Sequence, residues 1–112
     1  MNIEEIVDRY TDAARAHTRA MSNFDYKEAN RQHDIIIDTL HLLRDSGNIH
    51  ALMPLLSDKN PGVRCWAATH LLFDEPASAS IALEEVSREG GIVGHGALIV
   101  LREWRKGTLR IP

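Results

Sequence analysis

The chain has 112 residues, one cysteine and a formal net charge of −3, and 44% of its residues are hydrophobic. This length suits a single domain spanning residues 1–112, and the single cysteine excludes an internal disulfide and a cysteine-based zinc cluster. The acidic balance argues against nucleic acid as a partner. Because a long apolar run and a signal-peptide core are both absent, we expect a soluble cytoplasmic protein without a membrane partner.

The hydrophobic pattern predicts helices along the whole chain and no strand. Apolar residues recur at helical spacing in six segments, which capping residues, prolines and glycines separate. The second predicted helix follows a Ser22 cap and runs to about residue 46. The other five cover residues 3–21, 49–57, 61–73, 76–88 and 92–106. Because the turns between them are short, we expect three antiparallel helical hairpins.

Several of the predicted helix ends have specific signals. Ser22 to Asp25 fits a capping box in its looser Ser-x-x-Asp form, which would start the second helix. Pro54 lies inside the third predicted helix and is expected to kink or shorten it. Asn60-Pro61 combines a capping residue with a proline at the first helical position.

An internal repeat is the most specific signal in the sequence. Residues 63–72 align with residues 92–101, 29 positions later, so that the small and apolar positions coincide. A helical hairpin of this size cannot bury its apolar face alone, and stacked hairpins build a continuous core. Gly96 replaces Ala67 in this alignment, which predicts a close helix crossing there. Gly94 is expected in the first turn of the last helix.

Residues 52–72 resemble a HEAT-type repeat, with Leu52, Leu55, Asp58, Val63 and Arg64 at characteristic positions. The resemblance implies an all-α fold, a HEAT/ARM-like right-handed α-α superhelix, and a pairing of Asp58 with Arg64 that orders the hairpin. The second copy lacks both charged residues, which indicates a terminal cap. The whole chain is similar to a small bacterial family of HEAT-like single-domain proteins with no assigned activity. Related helical-repeat families include binding scaffolds and immunity proteins that neutralise toxins.

The polar face of the second predicted helix is the best candidate binding surface. Charged residues recur on it every three or four positions: Lys27, Arg31, Asp34, Asp38, His41 and Asp45. Bases at the start and acids towards the end oppose the helix dipole, which indicates a use other than helix stability. The residue types leave three interpretations open, namely a solvated face, a surface for a protein partner and a divalent-metal site. We assign no metal and no other cofactor.

Trp66 and His70 lie one turn apart on the fourth predicted helix, where they could form core packing or an interface hot spot. In stacked hairpins the second helix of each pair tends to line the concave side, so we expect these residues to share a groove with the second helix. We therefore predict a non-enzymatic module, monomeric or an end-to-end homodimer, that binds a protein such as a basic toxin or effector. Its predicted partner-binding residues are Asp34, Asp38, His41, Asp45, Trp66 and His70.

The alternative function is a small hydrolase or lyase that uses His41, His70 or His95 as an acid–base group. This alternative requires a pocket in which one of these imidazoles lies near a carboxylate, because no local catalytic motif supports it. His17 and His33 fall on apolar stripes, and we expect them in the core rather than in a ligand set.

Overall fold

The computed structural model describes all 112 residues, and its secondary structure is helical without a strand. Five α-helices are interrupted by one 3-10 helix, η1. The elements are α1 (Ile3–Ser22), α2 (Tyr26–Asp45), η1 (Ile49–Ser57), α3 (Pro61–Leu71), α4 (Pro76–Glu89) and α5 (Gly91–Lys106). The prediction of six helical segments and no strand is confirmed. None of these helices combines the length and the apolar composition that a membrane span requires.

The turn between α1 and α2 differs from the predicted one. Ser22 does not cap α2, because it is the last residue of α1 and its hydroxyl donates to the Thr18 carbonyl. The N-cap is Asp25, whose carboxylate accepts a hydrogen bond from the Glu28 amide at 3.2 Å. Phe24 makes the turn with a φ of 57°, a left-handed conformation that non-glycine residues seldom adopt.

Prolines set the helix type and the helix ends around α3. Pro54 lies inside η1, where the missing amide hydrogen removes one α-helical hydrogen bond, and the segment is a 3-10 helix with the predicted bounds. The Asn60 side chain caps α3 as predicted, accepting from the Gly62 amide at 2.8 Å. α3 ends at Leu71, before the predicted end at Phe73, and the Glu75 amide donates to the Leu71 carbonyl at 2.7 Å in the turn that follows.

Helix α3 lies at the centre of the fold. Twenty-one buried residues form one cluster, and α3 supplies Val63, Ala67, Ala68 and Leu71 to it. The helix packs against η1 and α4, its neighbours in the chain, and also against α1 and α5. A single core therefore spans all six elements.

The helix of the first hairpin that packs against α3 is not the expected one. We expected α2, the second helix of its pair, to lie alongside α3 and α5, but of the two helices it is α1 that packs against α3. The closest approach is at Gly62, where an added Cβ would lie 1.7 Å from the Thr18 hydroxyl oxygen. The Trp66 ring also contacts His17 of α1, with ring centroids 5.1 Å apart. Small residues thus bring α1 directly onto α3.

The last residues of the chain fold back onto the helices. Gly107 ends α5 with a φ of 74°, the left-handed conformation typical of a glycine helix terminus. Leu109 and Ile111 then pack against the core, and the Arg44 guanidinium of α2 donates to the Pro112 carbonyl oxygen. This segment covers the space between the C-terminal ends of α2 and α3.

Candidate functional site

The acidic strip of α2, defined as Asp34, Asp38, His41 and Asp45, is exposed along its whole length. Asp38 and Asp45 form no ion pair, and Asp34 contacts only the imidazole of the adjacent His33, at 3.6 Å. Some carboxylates elsewhere are neutralised across helices, as when Glu89 takes two hydrogen bonds from Arg64. The strip therefore presents three carboxylates on one helix face, none of which pairs with a lysine or an arginine.

One of the two bases at the start of the same helix face, Arg31, is neutralised locally. The Arg31 guanidinium donates two hydrogen bonds to Glu28, at 2.7 and 3.0 Å, and Gln32 donates a third at 2.7 Å. These hydrogen bonds from Arg31 and Gln32 hold the pKa of Glu28 at about 2, so the carboxylate stays charged. Lys27 is the one base of this face without an ion pair, against the three acids Asp34, Asp38 and Asp45, so the face is acidic towards its C-terminal half.

Trp66 and His70 do not lie on the acidic strip. Trp66 is half-buried, and three imidazoles surround its ring, from His17, His33 and His70, at centroid distances of 5.1, 5.8 and 5.5 Å. His33 is the link between this cluster and the strip, because it also contacts Asp34. The two sets of predicted partner-binding residues are thus neighbours, but they do not form one continuous exposed surface.

His70 is buried and hydrogen-bonded. Only 2% of the residue is exposed, and its Nδ1 lies 2.6 Å from the hydroxyl of Tyr10. The phenol must donate to Nδ1, because it has no other acceptor and a buried hydroxyl needs one. Burial, and after it the positive charge of Arg44, lowers the pKa of His70 to about 3. The imidazole is neutral and holds α1 to α3.

The histidines of the enzymatic alternative are not brought together with carboxylates. His41 and His95 are exposed on α2 and α5, and neither pairs with an acidic residue within 4.0 Å. The structure does place His50 Nε2 3.2 Å from a Glu75 carboxylate oxygen, at the surface between η1 and α4. Sequence reasoning missed this pair because its members are far apart in the chain and share no motif.

Asp58 and Arg64, expected to pair with each other, bind other partners. Asp58 accepts from Arg15 of α1 at 3.1 Å and from the Asn60 amide at 2.9 Å. Arg64 makes its two hydrogen bonds to Glu89, the last residue of α4. Asp58 therefore links the turn before α3 to α1, while Arg64 links α3 to α4.

Sequence reasoning also missed an apolar cleft of about 250 Å³ between α1, α3 and α5. His17, Thr18 and Met21 form its α1 wall, and α5 contributes the opposite wall. The third side is formed by buried and half-buried residues of α3. The lining residues on α3 and α5 are Gly62, Cys65, Trp66, Thr69, Ile92, Val93, Gly96 and Val100. No residue of α2 lines this cleft, so the acidic strip lies outside it.

Gly94 lies in the first turn of α5 as predicted, but the close helix crossing predicted at Gly96 is at Gly94 instead. A Cβ at Gly94 would lie 3.1 Å from the Val86 carbonyl oxygen, so the close crossing of α4 and α5 is at Gly94. A Cβ at Gly96 would meet nothing within 4 Å, because this position faces the cleft. Glycine inside a helix costs about 1 kcal/mol relative to alanine, and no close contact accounts for that cost at Gly96.

The structure brings together no group of three or more His, Cys, Asp or Glu side chains that could hold a metal ion. Burial raises the pKa of the Cys65 thiol to about 11, so it remains protonated and weakly nucleophilic at neutral pH. Comparison with known protein families, curated proteins and solved structures finds no match to this chain. The proposals below therefore rest on the residues and the geometry of the chain itself.

Proposed function

We propose that this chain is a non-enzymatic helical scaffold that binds a protein partner with a basic surface through the acidic strip of α2. The observation that carries the proposal is the uncompensated charge of Asp34, Asp38 and Asp45, all exposed on one helix face. A complementary basic surface would gain ion pairs and faster association, because opposite potentials steer encounter. In this proposal the three hairpins stack as in HEAT-like repeats, and the protein acts in the bacterial cytoplasm.

The position of the charges on α2 supports a binding role. Asp45 is the last residue of the helix, where a negative charge opposes the dipole. At a rise of about 1.5 Å per residue, Asp34 and Asp38 are about 6 Å apart along the axis, less than the Debye length of about 8 Å at physiological salt. These neighbouring carboxylates therefore act jointly on one partner, although they slightly destabilise the helix that carries them.

A charge-matched comparison tests the proposal. The strip variant D34N/D38N/D45N and the control variant D8N/D74N/E85Q each remove three exposed carboxylates that lack a lysine or arginine partner. Both variants and the wild type are used as bait in the native lysate, and captured proteins are quantified by mass spectrometry. An exposed ion pair contributes about 0.2–1 kcal/mol, so losing three is expected to weaken capture by roughly 3- to 150-fold.

We expect the wild type and the control variant to capture one basic protein in stoichiometric amount. The strip variant should not capture it, and rising salt should release it from the wild type. Circular dichroism checks that the strip variant is folded; it should be, because removing acids near the end of α2 improves the fit to the helix dipole. Equal capture by the strip variant and the wild type, or no captured protein with folded bait, would refute the proposal.

A further inference from the structure

The apolar cleft between α1, α3 and α5 is separate from the surface that the proposed function uses. Its walls come from three helices, so it is a concavity of the folded chain rather than one exposed helix face. Trp66 presents part of its ring to the cleft, and the His17 ring meets that indole edge-on at an interplanar angle of 90°. An aromatic surface is therefore held in a fixed orientation beside the open space.

Two glycines set the shape of the cleft. Gly62 lets the Thr18 side chain rest against the backbone of α3, which brings the α1 wall close. Gly96 leaves the α5 wall open, since a side chain at this position would enter the cleft without touching any other atom within 4 Å. The volume of the cleft thus depends on the absence of a side chain at Gly96, although the structure has room for one there.

The polar groups in the cleft favour a neutral ligand. The Thr18 hydroxyl donates to the Ala14 carbonyl at 2.9 Å, and the Thr69 hydroxyl donates to the Cys65 carbonyl at 2.7 Å. Both hydroxyl protons are therefore used within their own helices. Burial lowers the pKa of His17, which keeps its imidazole uncharged at neutral pH. No lysine, arginine, aspartate or glutamate lines the cleft.

Two sulfur atoms favour an aromatic ligand. Met21 and Cys65 line the cleft together with Trp66. A thioether or thiol interacts favourably with the edge of an aromatic ring, and an indole pairs with a second ring in offset or edge-on geometry. Engineered apolar cavities of about 150 Å³ already hold benzene, so a space of about 250 Å³ accommodates one or two rings. We propose that the cleft binds a neutral aromatic molecule of one or two rings.

Four small molecules serve as probes of this proposal. Indole and phenol are neutral and aromatic, cyclohexanol has the hydroxyl of phenol on a saturated ring, and benzoate is aromatic but charged. Binding is followed by the NMR signal of the Trp66 indole N–H, which the Trp104→Phe variant assigns because the chain has two tryptophans. Ligands of this size are expected to bind with dissociation constants on the order of 0.1–1 mM.

Indole and phenol are expected to shift the Trp66 signal saturably, and phenol should bind about five times more tightly than cyclohexanol. Benzoate should bind at least about tenfold more weakly than phenol, because its charge would lose hydration in an apolar cleft. No saturable shift with indole or phenol up to 10 mM, equal affinity for phenol and cyclohexanol, or tightest binding of benzoate would each overturn the proposal.

Variants that fill the cleft test whether the ligand binds there. Gly96→Leu places a side chain in the open space and should weaken indole binding by at least about tenfold while the fold is retained. His95→Leu adds the same side chain at an exposed neighbouring position and should bind indole as the wild type does. If Gly96→Leu is unfolded, Val100→Phe fills the cleft from the same wall. Unchanged indole affinity in a folded cleft-filling variant would place the site elsewhere and overturn the proposal.

The acidic-strip variant separates this inference from the proposed function. D34N/D38N/D45N leaves the cleft intact, since no residue of α2 lines it, and should bind indole with unchanged affinity. Loss of indole binding in that variant, with its fold retained, would overturn the assignment of the site to the cleft. Failure to capture a protein partner would leave the indole measurements unaffected.

Discussion

The buried pair of Tyr10 and His70 predicts that the protein loses stability in mild acid. The imidazole has a pKa of about 3 in the folded chain, against an ordinary value of 6.5. Between these two pH values the unfolded chain binds more protons than the folded one, so the free energy of unfolding falls as pH falls. The loss begins near pH 6.5 and is complete near pH 3.

The magnitude follows from the two pKa values. Each pH unit inside the window costs about 1.4 kcal/mol, so lowering the pH from 7.5 to 5 should remove about 2 kcal/mol from the free energy of unfolding. Burial is the main cause of the low pKa, and the charges of Arg44, His33 and His41 act in the same direction. His17, whose pKa burial also lowers, adds a contribution of the same sign.

The test is urea unfolding at pH 7.5 and pH 5, followed by far-UV circular dichroism because Trp66 fluorescence would respond to imidazole charge directly. His70→Asn keeps an acceptor near Nδ1 without titrating, so it should be less stable at pH 7.5 but lose about 2 kcal/mol less than the wild type between the two pH values. His95→Asn, at an exposed position, should behave as the wild type. An unchanged pH dependence in His70→Asn would refute the role assigned to this imidazole.

Further predictions concern the glycines and one helix cap, and thermal or urea unfolding measures each of them. Gly96→Ala should stabilise the protein by about 0.5–1 kcal/mol through helix propensity, whereas Gly94→Ala should destabilise it by about 1 kcal/mol because its Cβ would crowd a backbone carbonyl of α4. Gly62→Ala should lower the free energy of unfolding by about 2–3 kcal/mol. Adding Thr18→Ala should restore only part of this loss, since the Cβ of residue 18 would still lie 2.8 Å from the new Cβ. Asn60→Ala should cost about 1 kcal/mol through the lost cap of α3. A stabilised Gly94→Ala or a neutral Gly62→Ala would contradict the helix crossings described above.

Local signals in the sequence predicted the helices well and the cap of α2 badly. Asn60-Pro61 and Gly107 mark their helix ends through backbone chemistry that needs no tertiary partner. Ser22 matched a capping pattern equally well, but its hydroxyl can also donate to the preceding turn of α1, and it does. The choice between these two hydrogen bonds depends on where the chain turns, which the conformation of Phe24 decides.

The exposed acidic strip was predictable because its residues lie on one helix, where spacing alone determines the face. The cleft was not, since its lining comes from three helices whose relative positions no local pattern encodes. Gly94 and Gly96 illustrate the difficulty. Their repeat alignment assigned the crossing to Gly96, yet the carbonyl of Val86 that fixes the crossing belongs to another helix and faces Gly94.

The choice between α1 and α2 as the neighbour of α3 shows how side-chain size decides an arrangement that periodicity leaves open. Both helices carry an apolar stripe, so either one satisfies the hydrophobic pattern. The stripe of α1 includes the adjacent alanines Ala13 and Ala14, whereas that of α2 has one buried alanine, Ala29, and larger side chains such as Ile36 and Leu40. Helices approach most closely where side chains are small, and the contact of Thr18 with the backbone at Gly62 requires such an approach. With α1 on α3, the polar face of α2 remains in solvent, which is why the acidic strip is exposed.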